Sequence, residues 1–175
     1  GGYGRGELFP HSDIDVLVLG ETSAQHAAEA GLSRLFALLW DCGLPVSHAV
    51  RSLQQCRDAA ADQTVLTALI EARPLVTADG ARGALRQATN DGSLWPPRAF
   101  FLAKLEELRT RHARFGDTAD NLEPDIKDGP GGLRDLNTLG WMALRAFGVR
   151  ELEALVGLGH LGADEAVALQ RERAV

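Results

Sequence analysis

Residues 1–20 read GGYGRGELFPHSDIDVLVLG, a glycine-rich start that leads through two aspartates into an apolar run. The run over 14–19 predicts a buried strand, because apolar side chains on both faces are typical of a central parallel strand. With a period of two, Asp13 and Asp15 point to the same side of this strand. Two carboxylates this close repel each other, and burial increases the repulsion. We therefore expect a cation to join them.

The first half of the chain continues with one more helix and one more strand. A helix is predicted over 22–40, capped by Thr22 or Ser23. LPVSHAV, at 44–50, predicts a second strand. Beyond it only helical patterns occur, and helices are predicted over 52–60, 62–72, 80–90, 98–115 and 133–147. Asp62 is predicted to cap the helix that begins at Gln63.

A domain boundary is predicted at DGSLWPP, residues 91–97, because glycine and paired prolines do not continue a helix. The prediction is an α/β (α+β) domain over 1–92, with a small mixed sheet and helices, and an all-helical domain over 93–175. The chain opens inside a glycine turn and stops within a helical pattern. We therefore expect the first strand of the sheet to be missing and the helical domain to be incomplete.

Composition excludes several classes of function. The chain has 18 basic and 24 acidic residues, a net charge of −6, which disfavours nucleic-acid partners because these select a basic surface. The longest apolar run, 35–40, is far shorter than the roughly 18 residues of a membrane span. Cys42 and Cys56 are too few and too far apart for a zinc cluster or a redox pair. They predict reduced thiols and a cytoplasmic protein.

The opening segment also carries the spacing of a nucleotidyltransferase: a glycine pair, ten residues, then Asp-Ile-Asp. Asp13 and Asp15 offer hard oxygen ligands, which suit Mg²⁺ together with substrate phosphates. Paired metals of this kind activate an attacking hydroxyl and stabilise a leaving pyrophosphate. The glycines allow backbone N–H groups to approach phosphate oxygens, and Arg5 can donate to the same oxygens. Ser12 either hydrogen-bonds a phosphate or caps the turn.

The same segment, 1–19, resembles the bacterial PII uridylyltransferase/uridylyl-removing family within the DNA polymerase beta nucleotidyltransferase superfamily. NLEPDIKDGPGGLRDLNTLGWMA, at 121–143, resembles a downstream helical region of that family. WDCGLPVSHAVRS at 40–52 and ADQTVLTALIEAR at 61–73 are also similar to family sequence. The resemblance therefore covers most of residues 1–147 and implies a nucleotidyltransferase fold.

The resemblance implies transfer of UMP from UTP to a tyrosine of the nitrogen-regulatory PII protein, with Mg²⁺ as cofactor and release of pyrophosphate. Carried onto this chain, Asp13 and Asp15 would be the catalytic metal ligands, and Gly1, Gly2 and Arg5 would hold the triphosphate. Complete members of the family also remove UMP through a domain that contains a His-Asp dipeptide. No such dipeptide occurs in this sequence, so we expect the chain to carry the transferase half at most.

The third acidic residue that the superfamily usually supplies from a neighbouring strand is missing from LPVSHAV. Either Ser47 or His48 faces the side that it would occupy, and His48 is either a base or a packed histidine. A catalytically silent nucleotide-binding regulatory module therefore stays open as an alternative. So does AMP transfer of the kind made by glutamine synthetase adenylyltransferase, because residue chemistry alone does not fix the base.

The loop LEPDIKDGPGGLRD, at 122–135, has a functional and a structural interpretation. Lys127 and Arg134 are possible substrate contacts, and the glycines at 131–132 could present N–H groups to an anion at a helix start. Alternatively, the loop is structural and its charges pair locally. The basic run over 109–114 is predicted to be a solvated helix face.

Overall fold

The structure, a computed structural model, describes residues 2–8, 12–77, 80–90, 92–119 and 123–173, with side chains as far as residue 171. Most of the described chain is helical, and it contains a two-stranded parallel sheet. The chain divides into two compact units, Gly1–Leu94 and Trp95–Val175. Among the described residues, no helix is both long enough and apolar enough to cross a membrane.

The first unit contains both described strands. Its elements, in chain order, are α1 Gly2–Arg5, β1 Ile14–Leu19, α2 Thr22–Asp41, β2 Val46–Arg51, α3 Leu53–Ala59, α4 Gln63–Ile70 and α5 Ala81–Thr89. Both predicted strands are confirmed, but the prediction that the first is buried was wrong, because no residue of β1 is fully buried. The sheet was predicted to be mixed, whereas the strands within the described ranges form one parallel pair.

The register of the parallel pair runs from Ile14 opposite Val46 to Leu19 opposite Arg51. Parallel neighbours need a crossover, and α2 supplies it between the two strands. Gly20 extends the ladder by donating its N–H to the carbonyl of Arg51 at 3.1 Å. The arrangement fixes which side chains of β2 stand beside those of β1.

The helix starts in this unit follow their capping residues. Asp62 precedes α4 and accepts the N–H of Thr64 at 2.6 Å, as predicted from the sequence. The predicted cap of α2 was wrong, because Thr22 is already the first helical residue. Glu21 takes the cap position in extended backbone and makes no side-chain cap hydrogen bond. The core beneath these helices contains Phe36, Cys56, Ala60, Leu66 and Leu69.

The elements of the second unit are helices, in chain order α6 Pro97–Arg114, α7 Leu133–Phe147, α8 Glu153–Gly157 and α9 Ala163–Arg173. α6 packs along α7, with Phe100 fully buried and Ala143 nearly so. Lys104 is also buried in α6. Its ammonium group bonds Glu107 at 2.7 Å and lies 4.9 Å from the ring centroid of Trp141, which compensates its desolvation.

Candidate functional site

The two aspartates of the opening segment lie at the start of β1. Asp13 directly precedes the strand, Asp15 is its second residue, and both are exposed. Alternation along the strand places their side chains on the same face. Within the described parts of the chain, no ion pair or hydrogen bond joins either carboxylate to another side chain. The pair is therefore available to a cation from solvent.

The neighbouring strand settles which residue stands beside these carboxylates. Ser47 is the register partner of Asp15, so the two side chains share a face of the sheet. His48 points to the other face, where its ring stacks on Phe36 with centroids 3.9 Å apart. A groove of about 420 Å³, lined in part by Phe36, His48 and Val50, lies on that opposite face. The groove and the carboxylates are therefore separate features.

No third acidic ligand lies beside the pair among the described residues. Among the residues that the structure describes, no group of three or more His, Cys, Asp or Glu side chains could hold a metal ion. The position next to Asp15 is taken by the hydroxyl of Ser47. Two carboxylates on one strand face nevertheless fit Mg²⁺, which is often held by one or two carboxylates together with waters and substrate phosphates.

The glycine turn lies against β1. Gly1 falls outside the described residues, and α1 begins at Gly2. The N–H of Glu7 donates to the carbonyl of Gly2 at 2.9 Å, and a Cβ on Gly2 would stand only 2.6 Å from the carbonyl oxygen of Glu7. Glycine is therefore required for this tight turn. Ser12 is half-buried directly before Asp13.

Arg5, at the end of α1, is held between two carboxylates. Its Nε donates to Glu7 and its Nη1 to Glu71, both at 2.7 Å. Burial by itself would lower the pKa of Arg5, but the hydrogen bonds and charges of Glu7 and Glu71 outweigh it and raise that pKa above its ordinary value. The guanidinium stays charged, and within the described ranges the hydrogen bonds to Glu7 and Glu71 use Nε and Nη1, which leaves Nη2 to donate to a phosphate oxygen.

The loop before α7 keeps its own backbone donors occupied. Asp125 accepts the N–H groups of Lys127 and Asp128 at 2.9 and 2.8 Å, which closes the first turn. The following N–H donors also have acceptors at 2.8 to 3.0 Å: Gly131 to Asp135, Gly132 to Gly129, Leu133 to Ile126 and Arg134 to Lys127. The hypothesis that the glycine N–H groups bind an anion was therefore wrong.

The charged side chains of this loop have different surroundings. Lys127 is exposed. Arg134 is partly exposed, and its Nε pairs with Asp128 at 2.8 Å. The ammonium group of Lys127 and the guanidinium group of Arg134 both reach the surface. The two side chains therefore stay possible substrate contacts, whereas the N–H groups at the helix start do not.

Asp135, in the first turn of α7, is the centre of a charged cluster. Its carboxylate accepts from Nη2 of Arg111, from Nε2 of His112 at 2.9 Å and from the N–H of Gly131. Arg111 is only 7% exposed. The prediction that the whole basic run of α6 is a solvated face was therefore wrong, because Asp135 provides the countercharge that lets Arg111 be buried.

Glu71 and Asp135 were missed as partners by reasoning from the sequence. Glu71 lies 66 residues from Arg5, and Asp135 lies 24 residues from Arg111. No local spacing connects residues so far apart. The signal that exists is weak: each is an acidic residue at a helix terminus within a segment that resembles a known family.

The family model and the named relatives that this chain resembles agree on one family. Residues 99–175 match the family described as GlnD PII-uridylyltransferase. Over 99% of its length the chain is 76% identical to a protein of Xanthomonas campestris pv. campestris named bifunctional uridylyltransferase/uridylyl-removing enzyme. A protein of Azotobacter vinelandii with the same name is 49% identical over 92% of the chain.

The chain spans about a fifth of the length of these curated relatives, 20% for the Xanthomonas protein and 18% for the Azotobacter protein. Both relatives are named as uridylyltransferase enzymes. No solved structure matches the chain significantly.

Proposed function

The chain belongs to the PII-uridylyltransferase family, and on that premise we propose that it carries the nucleotidyl-transfer site of such an enzyme. The donor is UTP and the acceptor is a tyrosine of the PII protein. The tyrosine oxygen bonds to the α-phosphorus, and the bond from that phosphorus to the oxygen bridging the β-phosphate breaks. Pyrophosphate leaves, the phenolic proton passes to solvent or a base, and UMP stays on the protein.

The observation that carries this proposal is the pair of exposed carboxylates, Asp13 and Asp15, at the start of β1 beside the glycine turn. Their oxygens suit Mg²⁺, and the pair is the part of the described chain that would hold it. When bound, Mg²⁺ supplies charge stabilisation to the transferring phosphoryl group and its leaving oxygen. The two carboxylates lie on one exposed face at the start of β1, which supports a role in binding a cation.

The residues around the pair bind and orient the triphosphate. Arg5 keeps Nη2 for a phosphate oxygen while Glu7 and Glu71 fix its guanidinium. Gly1 and Gly2 let the backbone approach the phosphates without an intervening Cβ. Ser12, just before Asp13, either donates to a phosphate or stabilises the turn.

We further infer that the first unit has a nucleotidyltransferase fold and that residues 93–175 form a helical domain. The parallel β1–α2–β2 arrangement with acids at the start of β1 supports the first inference. Lys127 and Arg134 are proposed as substrate contacts through their side chains, which reach the surface. The reaction belongs to the cytoplasm, in keeping with the free thiols of Cys42 and Cys56.

A second candidate, a nucleotide-binding regulatory module without turnover, is favoured by one observation. The residue beside Asp15 is Ser47, and a hydroxyl does not replace an acidic ligand and proton acceptor. A module of this kind would bind Mg²⁺ and UTP and release no pyrophosphate. Transfer of AMP from ATP is the remaining alternative, in which the nucleotide donor differs only in the base.

The test measures pyrophosphate release by the chain with Mg²⁺, PII and either UTP or ATP, alongside nucleotide binding by titration calorimetry. Asp13→Asn and Asp15→Asn are compared with Asp41→Asn, an exposed aspartate at the end of α2. The proposal predicts release with UTP that falls by about a hundredfold or more in the first two variants and is unchanged in the third.

Each other outcome overturns the proposal in a defined way. Equal release from all variants removes Asp13 and Asp15 from the reaction. Binding of UTP by the unsubstituted chain without release supports the regulatory module. Release with ATP in place of UTP supports adenylyl transfer.

A further inference from the structure

The glycine turn α1 is attached to the end of α4 by side-chain and backbone contacts. Arg5 pairs with Glu71, which is the C-terminal capping residue of α4. Arg73, two residues further along, places its guanidinium carbon 4.3 Å from the ring centroid of Tyr3. The turn that is proposed to hold the triphosphate is thus fastened to a segment that sequence analysis left without a role.

The closest of these contacts depends on Gly4. A Cβ on this residue would overlap with the carbonyl oxygen of Glu71 and would stand 3.3 Å from its carbonyl carbon. Both atoms belong to the backbone and cannot rotate away. The absence of a side chain at Gly4 is therefore what allows α1 to reach the end of α4.

The ion pair between Arg5 and Glu71 is a second contact between α1 and the end of α4. The side chain of Glu71 is 8% exposed, so its carboxylate depends on a bound donor to offset desolvation. Nη1 of Arg5 supplies it at 2.7 Å. Glu7, the other partner of Arg5, is two residues away in the same segment and cannot anchor the turn to another element.

The same turn lies against β1, at whose start the aspartate pair lies. The end of α4 therefore helps to fix the position of the glycine turn relative to Asp13 and Asp15. We propose that Glu71 is a positioning residue for nucleotidyl transfer: it holds the glycine turn and Arg5 where they can receive a nucleoside triphosphate. Arg73 assists through Tyr3. This inference rests on the function proposed above.

A competing interpretation gives an effect of opposite sign. If Glu71 merely competed with phosphate for Arg5, its neutralisation would free the guanidinium and tighten binding of UTP. If it positions the turn, neutralisation loosens the turn and weakens binding. The phosphates are held in both the ground state and the transition state. Weaker binding of UTP should therefore raise KM and leave kcat nearly unchanged.

The experiment compares Glu71→Gln with Arg73→Ala, Glu7→Gln and Glu106→Gln in the chain. Glu71→Gln is expected to raise KM for UTP, and its dissociation constant by calorimetry, about tenfold at nearly constant kcat. Arg73 is exposed, so Arg73→Ala leaves the core intact and should raise KM in the same direction. Glu7→Gln should have a smaller effect, and Glu106→Gln, at an exposed site on α6, none.

The outcomes separate this inference from the proposed function. If the unsubstituted chain neither binds UTP nor releases pyrophosphate, the proposed function fails and the inference fails with it. If the unsubstituted chain does both while Glu71→Gln and Arg73→Ala match it, or bind UTP more tightly, only the positioning role is overturned. An equal rise in KM for Glu7→Gln and Glu71→Gln also overturns it, because the effect would then come from charge on Arg5 alone.

Discussion

The imidazole of His48 stacks on the ring of Phe36, with centroids 3.9 Å apart and planes inclined by 18°. Trp40 lies beside the same imidazole, with centroids 5.7 Å apart. Both aromatic partners belong to α2, which covers the face of the sheet opposite Asp15. The stack therefore gives His48 a packing role, whereas proton transfer at the carboxylates would need a group on the other face.

Replacing His48 tests this assignment. His48→Ala is expected to lower the free energy of unfolding by about 0.5–1.5 kcal/mol, the usual worth of an aromatic pair. His48→Phe keeps a ring against Phe36 and should recover most of that loss in urea unfolding. The pH dependence of pyrophosphate release should be the same in His48→Phe and the unsubstituted chain. Loss of one limb of that pH profile would instead identify His48 as a base.

Gly4→Ala tests the contact between the glycine turn and α4. The added methyl group would overlap with the carbonyl oxygen of Glu71, so we expect a loss of about 1–3 kcal/mol in the free energy of unfolding, as for other overpacked sites. Gly31→Ala in α2 is the matched control, since its methyl group meets nothing within 4 Å. That substitution should stabilise the chain by about 0.5–1 kcal/mol. Equal stability of the two variants would contradict the contact.

Asp135→Ala tests the charged cluster between α6 and α7. It leaves the guanidinium of Arg111 buried without its carboxylate, so we expect the free energy of unfolding to fall by about 3–5 kcal/mol. Asp128→Ala removes a more exposed pair with Arg134 and should cost about 0–1 kcal/mol. Urea unfolding of both variants gives the comparison. Similar losses would show that burial of Arg111 does not depend on Asp135.

The sequence was sufficient where local pattern decides structure. The alternation around Asp13 and Asp15 and the apolar run after them predicted β1, and the cap at Asp62 predicted the start of α4. These features depend on neighbouring residues, whose preferences can be read directly. The face of the sheet that Ser47 occupies needed the register, because a one-residue shift would have exchanged it with His48.

What the sequence could not provide is the choice of partner for a charged side chain. Arg111 has the spacing of a solvated helix face, yet it is buried against Asp135. Arg5 carries the charge of a phosphate ligand, yet it is also paired with Glu71. In each case tertiary contact brings together residues that are distant in the chain, and only then does burial become favourable.

Cys56 gives the chain a predicted sensitivity to alkaline pH. Burial raises the pKa of its thiol above the ordinary value of about 9.0, against a smaller opposing effect of Arg51. The thiol therefore ionises at a lower pH in the unfolded chain than in the folded chain. Between the ordinary pKa and the raised pKa, the folded chain holds more protons. The free energy of unfolding should then be intact below the ordinary pKa and fall as pH rises from it toward the raised one.

In urea unfolding under reducing conditions, Cys56→Ala should flatten this decline, whereas Cys42→Ala, at an exposed thiol, should leave it unchanged. Identical slopes in the two variants would remove Cys56 as its source.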